Sequence, residues 1–352
     1  MKYNIQVDIN CGMEWSNKII NIRALAILLV VFGHSIIILY SSSWNLYSTL
    51  NDVPVLDYIK KIIDLIQMPI FFSISGYLFL YTHRQKGGIG KLIKNKIKRL
   101  IVPYFIIGLV YMVPIKLAVG YSSYQDKTLF DLCINFFKVE DVGHLWFLPT
   151  LFWIFIISEI ALSAIEKIPI IEKFPEIALF LISAVLYLEG YRIAFVYSPL
   201  MAAFSYMIWF AWGYMICVYQ RMIRKAYSKI IIECIAILLS MGLLGYCSYH
   251  NTRVIVELFC RSLCILNLYG LIPQKTNKIA KKISEDSFGI YLFHSPLIYF
   301  TYAFISNASP ILVVTLNFII FGLTAMMFTE IIRHFNLSFI IGEKNKKKMH
   351  KS

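Results

Sequence analysis

Residues 21–35 read NIRALAILLVVFGHS, an apolar run with Arg23 near its start and His34 near its end. Both side chains are costly in hydrocarbon, so a membrane-crossing helix keeps them only where protein or water surrounds them. On an α-helix, the step from Arg23 to His34 makes about three turns plus 20° and a rise of about 16.5 Å. The spacing therefore predicts one shared face that lines an internal polar path. Taken singly, Arg23 would fit an anchor that reaches the membrane surface, and His34 would fit a hydrogen bond between helices.

The composition is that of a protein that crosses a membrane many times. Of the 352 residues, 59% are hydrophobic and 15% are charged, and the mean hydropathy is +0.67. A soluble domain has about 25% charged residues. The net charge of +14 comes from short basic clusters between apolar runs. This placement indicates a cytoplasmic membrane face and argues against a nucleic-acid partner.

Apolar runs of about 20 residues, the length that crosses a bilayer, recur along the whole chain. They predict an all-α membrane protein, a polytopic bundle of about ten transmembrane helices in which the fifth is the shortest. The predicted spans are 19–40, 60–82, 100–119, 144–165, 176–190, 199–219, 229–249, 253–273, 286–305 and 310–333.

Basic clusters mark every second connection between these runs, at 84–99, 221–229, 275–282 and 344–351. The intervening connections are nearly free of lysine and arginine. Because cytoplasmic connections of membrane proteins are enriched in these residues, the alternation predicts that both termini are cytoplasmic. The expected domains are a cytoplasmic N-terminal segment (1–18), a transmembrane domain (19–333) and a basic cytoplasmic tail (334–352).

The second predicted helix contains MPIFFSISGYLF at 68–79, in which Pro69 and Gly76 interrupt an apolar run. Proline removes a backbone hydrogen bond, and glycine allows another backbone to approach closely. The motif suits a distorted helix beside a cavity, or simply close packing between helices.

Two further motifs contain histidine. HLWFLPTLF opens the fourth run with His144 and Trp146, which could also belong to an interfacial aromatic belt. SFGIYLFHSPLI places His294 in the middle of the ninth run, with Tyr291 on the same side of the helix.

A polar path with histidines inside it and arginines at its inner end is compatible with two kinds of function. A histidine with a pKa near 7 can take a proton from a hydroxyl or amine. Arginines can hold phosphate groups. The combination suits a membrane transferase with a phosphorylated cytosolic donor, and equally a proton-coupled transporter.

Five motifs in this order resemble those of the acyltransferase-3 family, bacterial integral-membrane enzymes that O-acylate cell-surface polysaccharides and related molecules. NIRALAILLVVFGHS carries the family's arginine, ten residues and histidine as Arg23 and His34. MPIFFSISGYLF, RLIVP at 99–103, HLWFL and IYLFHSP match further family patterns, so the resemblance covers nearly the whole chain. The sequence departs from the family at Asn21, where many members have aspartate, and at Gln67, where many have histidine.

The resemblance implies transfer of an acyl group, most commonly acetyl, from cytosolic acyl-CoA to a hydroxyl of a surface polysaccharide or its lipid-linked precursor. His34 would be the essential base or acyl-transfer residue, paired with Arg23. Arg23, Arg84 and Arg99 would hold the CoA phosphates or orient the donor.

The resemblance also implies a multi-pass protein of the bacterial inner membrane, whose partners are acyl-CoA, a sugar acceptor and the lipid bilayer. No metal and no permanently bound cofactor is expected. A turn at Ser75 and Gly76 and the segment from His144 to Trp146 would shape the acceptor side. The full expected substrate-binding set is Ser75, Gly76, Tyr77, His144, Trp146, Tyr291 and His294.

Two other classes of function remain open on the sequence. A proton-coupled exporter or flippase of an envelope glycan would use the intramembrane histidines as a proton relay. A nonenzymatic scaffold would tolerate replacement of Arg23 by lysine, whereas an arginine that binds phosphate through two bonds would not.

Overall fold

A computed structural model describes residues 9–40, 53–83, 88–189, 197–250, 254–305 and 308–344 of the chain, and all regular structure in these ranges is helical. The helices of ten residues or more are α1 (Ile9–Tyr40), α2 (Pro54–His83), α3 (Gly88–Ala118), α4 (Leu129–Lys138), α5 (Gly143–Ile165), α6 (Pro175–Glu189), α7 (Ser198–Val218), α8 (Ile230–Tyr249), α9 (Val254–Leu271), α10 (Lys278–Ile305) and α11 (Pro310–His334).

Nine of these helices, all except α4 and α6, are long and apolar enough to cross a membrane within the described part of the chain. The prediction of an all-α polytopic membrane protein is therefore confirmed. The fifth predicted span corresponds to α6, which has only 15 residues. At 1.5 Å per residue it is about 22 Å long, less than the roughly 30 Å of a bilayer's hydrocarbon core.

The centre of the bundle is a row of four helices. α1 packs between α2 and α10, and the opposite side of α2 packs against α7. α5 and α6 flank α7, and α11 flanks α10. α8 and α9 pair with each other at the edge, where few residues of α8 are buried. The apolar run that carries Arg23 and His34 thus lies in the middle of the bundle.

Two glycines allow α2 and α7 to touch through their backbones. A Cβ atom added to Gly76 would lie 1.8 Å from the carbonyl oxygen of Phe210, and one added to Gly213 would lie 1.8 Å from that of Ser73. Small residues serve this purpose between membrane helices. The turn expected at Ser75 and Gly76 is wrong: both residues lie inside the continuous helix α2, and Gly76 is a packing residue.

α3 contains two wider turns of π-helix, Ile97–Ile101 and Gly108–Met112. A π turn inserts one extra residue, so the side chains that follow it face a different direction. At the second turn the ring of Phe136 from α4 packs directly on Gly108, where an added Cβ would lie 2.0 Å from the ring. A third π turn, Leu316–Ile320, lies inside α11.

Gly76→Ala should destabilise the protein by about 1–3 kcal/mol, because its methyl group would push two backbones apart. The matched control is Gly242→Ala on α8, where an added Cβ meets nothing within 4 Å. Thermal unfolding in detergent should give a melting temperature several degrees lower for Gly76→Ala and an unchanged or higher one for Gly242→Ala. Equal melting temperatures would contradict the close approach of α2 to α7.

Candidate active site

Three histidines from three helices meet inside the bundle. The ring centroids of His34 on α1 and His294 on α10 are 5.0 Å apart and nearly parallel. His144, at the start of α5, lies 6.2 Å from His34 and 5.6 Å from His294. His144 and His294 are buried, whereas His34 is half-buried. The structure therefore brings together three residues that the sequence places 110 and 150 positions apart.

A carbonyl group fixes the protonation of the His34–His294 pair. Nδ1 of His294 lies 2.7 Å from the carbonyl oxygen of Ile290, which can only accept, so Nδ1 carries the hydrogen and Nε2 does not. Nε2 of His294 lies 2.8 Å from Nδ1 of His34 and accepts a hydrogen bond from it. Nε2 of His34 is consequently left without a hydrogen, as an unprotonated nitrogen.

Pro296 explains how His144 is held. Proline has no N–H, so in α10 it leaves the carbonyl of Leu292, one turn earlier, without its usual helical donor. Nε2 of His144 donates to this carbonyl at 3.3 Å. The hydroxyl of Tyr291 in turn donates to the main-chain carbonyl of His144. The proline of the IYLFHSP motif thus supplies an acceptor for a histidine on another helix.

Asn317 joins the two helices that carry the hydrogen-bonded histidines. It is fully buried in the π turn of α11. Its Nδ2 donates to the carbonyl of Ser35 on α1 at 3.3 Å, and its Oδ1 accepts from the hydroxyl of Thr301 on α10 at 2.7 Å. Because Ser35 follows His34 directly, this bridge fixes α1 against α10 beside the histidine pair.

Arg23 lies about three turns along α1 from His34, at an end of the bundle that we call the basic end and define by Arg23, Lys96 and Arg99. Arg23 is half-buried, and the charge of Arg99 acts on it. Lys96 is in turn within electrostatic reach of Arg99. No carboxylate in the described part of the chain pairs with Arg23. A half-buried guanidinium beside other cations favours a bound anion.

At the basic end, Lys18 links α1 to α9, and Tyr269 links α9 to α2. The ammonium of Lys18 donates to the carbonyls of Tyr269 and Gly270, at 2.7 and 2.9 Å. The hydroxyl of the fully buried Tyr269 is 3.2 Å from Oγ of Ser73 on α2. These contacts hold the start of α1, and with it Arg23, in place.

Ser75, Gly76 and Tyr77 lie at the level of Arg23, apart from the histidine cluster. Gly33 of α1 packs on Gln67 of α2. Because the two helices run antiparallel, Arg23, ten residues before Gly33, lies opposite Tyr77, ten residues after Gln67. The Tyr77 hydroxyl donates to Oε1 of Gln220 at 2.6 Å. These residues therefore line the basic end of the bundle and not the side near His144.

The other predicted site residues divide between the two regions. Tyr291 and His144 belong to the histidine cluster, and Arg99 belongs to the basic end. Trp146 packs on the rings of Tyr206 and Phe72, with centroid distances of 5.2 and 6.4 Å. Arg84 lies outside the described residues.

Sequence reasoning missed Lys18, Tyr269 and Asn317. Asn317 had a visible signal, since it is a polar residue in the middle of an apolar run. Lys18 and Tyr269 had none, because a lysine before a span and a tyrosine near the end of one are ordinary. In the described ranges, no group of three or more His, Cys, Asp or Glu side chains is arranged to hold a metal ion.

A bundle of membrane helices around a buried histidine cluster defines a multi-pass membrane protein with an internal reactive site. The model of the acyltransferase-3 family, described as an acyltransferase domain, matches residues 17–331. The match includes all three histidines and Arg23, and the chain belongs to this family. No curated protein and no solved structure matches the chain. The protein is accordingly a membrane acyltransferase.

Pro296→Ala should separate the stability of the fold from its activity. The new N–H of residue 296 would bond to the Leu292 carbonyl and displace His144 from it, while the helix gains a hydrogen bond. We expect an unchanged or higher melting temperature together with slower acyl transfer. A variant that loses stability and activity together, or that keeps full activity, would contradict the role assigned to this carbonyl.

Proposed function

We propose that the protein is an O-acetyltransferase of the bacterial inner membrane. It moves an acetyl group from cytosolic acetyl-CoA to a hydroxyl of a cell-surface polysaccharide or its lipid-linked precursor. The observation that carries the proposal is the unprotonated Nε2 of the half-buried His34, held by a hydrogen bond from its other nitrogen to His294. Such a nitrogen is the form of histidine that acts as a general base.

The proposed reaction uses His34 as the base. As the acceptor oxygen attacks the thioester carbonyl, Nε2 takes the hydroxyl proton, and the carbon–sulfur bond then breaks. The leaving thiolate takes the same proton back from His34, so the products are an acetyl ester and CoA–SH. The positive charge that His34 carries between these steps is stabilised by the lone pair of His294, a role that a carboxylate has in serine hydrolases.

The basic end supports a donor that carries phosphates. Arg23 and Arg99 provide two guanidinium groups, and no carboxylate in the described ranges neutralises Arg23. In acetyl-CoA the thioester is separated from the phosphates by the extended pantetheine arm. A donor bound with its phosphates at Arg23 would extend its thioester along α1 toward His34, about 16.5 Å away.

A proton-coupled exporter is the second candidate, since the hydrogen-bonded histidines could relay protons. The pattern of donors argues against it. Nδ1–H of His294 donates to the carbonyl of Ile290, which cannot accept and pass on a proton. A deletion strain that exports its glycan normally but without acetyl groups would exclude the exporter.

His34→Ala should lower acetyl transfer by about 100-fold or more, the contribution of a general base. The assay uses purified protein in lipid nanodiscs, labelled acetyl-CoA and de-O-acetylated bacterial surface polysaccharide. The matched control is His334→Ala, which removes an exposed histidine at the end of α11 and should leave the rate unchanged. Equal rates of acetyl transfer by His34→Ala and the wild type would contradict the assignment of His34 as the general base.

The same assay tests the chemical role of His34. Direct attack by Nε2 would produce an acetyl-His34 intermediate, whereas base catalysis would not. Rapid quenching and mass spectrometry of the histidine peptides distinguish these routes, and a label on His34 that forms and decays at the turnover rate would replace the base mechanism by the covalent one.

Arg23→Lys should raise the KM for acetyl-CoA about tenfold, because lysine cannot bind a phosphate through two parallel bonds. Calorimetric titration with acetyl-CoA measures the loss of affinity without requiring an acceptor. Arg221→Lys changes an exposed arginine near the same end of the bundle and should bind like the wild type. Unchanged affinity in Arg23→Lys would contradict the phosphate role.

A further inference from the structure

Lys116 is a lysine on α3 that lies fully buried near the histidine cluster, at the end of the bundle opposite the basic end. Its ammonium is surrounded by three tyrosine rings, with centroids 4.3, 4.6 and 5.5 Å from Nζ: Tyr121, Tyr124 and Tyr299. It is also 3.3 Å from a carboxylate oxygen of Asp141. A buried ammonium needs such partners, because an unpaired one is strongly destabilising.

The π turn at Gly108–Met112 accounts for the inward direction of Lys116. The buried positions of α3 before the turn include Tyr104 and Ile107. Met112 is buried at the end of the turn, and Val113 and Lys116 are the buried positions after it. An uninterrupted α-helix would continue this face through positions 111, 114 and 115. The extra residue of the π turn shifts the face and brings Lys116 into the protein.

The lysine holds a short loop of unusual backbone conformation. The loop runs from Val139, after α4, to Gly143, the first residue of α5. Val139, Asp141 and Gly143 all have left-handed φ angles, of 59°, 52° and 53°. This conformation is strained for a β-branched residue such as Val139 and persists only where the surroundings hold it. His144 follows the loop directly, so the loop determines where the histidine lies.

The main-chain carbonyl of Asp141 is the point at which the loop is held. It accepts from Nζ of Lys116 at 3.2 Å and from the hydroxyl of Tyr124 at 3.0 Å. Burial, and to a smaller extent the Asp141 carboxylate, raises the pKa of Tyr124, so its hydroxyl keeps its proton and remains a donor. The Asp141 side chain accepts a second bond from Lys116.

We propose that Lys116 is a positioning residue for His144. By binding the carbonyl and carboxylate of Asp141, it keeps the left-handed loop in the one conformation that sets His144 against His34 and His294. The tyrosine cage keeps water from competing for the ammonium. The proposal gives His144 a part in the reaction, and in this respect it rests on the proposed function.

The test compares Lys116→Met, which keeps the length of the side chain but removes its donors, with Lys116→Arg, which keeps donors. Lys138→Met, at an exposed lysine of α4, is the matched control. Full-length protein in nanodiscs is treated with diethyl pyrocarbonate, which modifies accessible histidines, and the modified peptides are quantified by mass spectrometry. Hydrogen exchange of residues 139–143 is measured on the same samples.

In Lys116→Met we expect modification of His144 and exchange of the loop to be about tenfold faster than in the wild type, the effect of losing one to two hydrogen bonds. The kcat for acetyl transfer should fall while the KM for acetyl-CoA stays unchanged. Lys116→Arg should restore part of the kcat, and Lys138→Met should match the wild type. A variant that is damaged only in its overall stability would instead expose all histidines together.

Tyr124→Phe replaces Lys116→Met in the test if Lys116→Met does not fold, because it removes only the hydroxyl that donates to the carbonyl of Asp141. We expect the same selective change at His144, to a smaller extent. Unchanged labelling of His144 and unchanged loop exchange in either folded variant would overturn the proposal. Absence of acetyl transfer in the wild type would overturn the proposed function, and the labelling would still decide the role of Lys116.

Discussion

The hydrogen bond from His34 to His294 is the interaction on which the candidate site depends. It leaves one nitrogen of His34 unprotonated, and it does so only because His294 in turn donates to the carbonyl of Ile290. Inside a membrane no bulk water is present to exchange protons with the two histidines. The carbonyl of Ile290, the last acceptor in this series of hydrogen bonds, therefore decides which nitrogen of each histidine carries the hydrogen. The protonation of His34 is thus set by a backbone carbonyl on another helix.

Helix irregularities supply the backbone groups and side-chain directions that the site needs. In a regular helix the main-chain carbonyls accept hydrogen bonds from N–H groups of the same helix. Pro296 has no N–H, so the carbonyl of Leu292 is free to accept from His144. π turns change the direction of the side chains that follow, which brings Lys116 inward on α3 and accompanies the buried Asn317 on α11. Each irregularity would weaken an isolated helix, and here a contact from a neighbouring helix compensates for it.

The sequence predicted the helical class, the central role of α1 and the histidines at 34, 144 and 294, because hydropathy and polar outliers are local signals. It did not predict which histidine donates to which, because that depends on contacts between residues about 260 positions apart. The Ser75–Gly76 prediction failed for a related reason. A glycine in an apolar run indicates a turn and a close contact equally well, and only the position of Phe210 on α7 decides between them.

α1 is held on both sides of the stretch from Arg23 to His34: Lys18 bonds to α9, and the carbonyl of Ser35 accepts from Asn317. The distance along the helix from Arg23 to His34 is therefore fixed. In the proposed reaction the donor is a CoA thioester. All CoA thioesters share the same phosphates and pantetheine arm, so a donor anchored at Arg23 would always place its carbonyl at the same depth along α1. Discrimination between acetyl and longer acyl groups must then come from the side chains beyond that level. These are the aromatic residues around His144 and Tyr291, which the loop held by Lys116 helps to position.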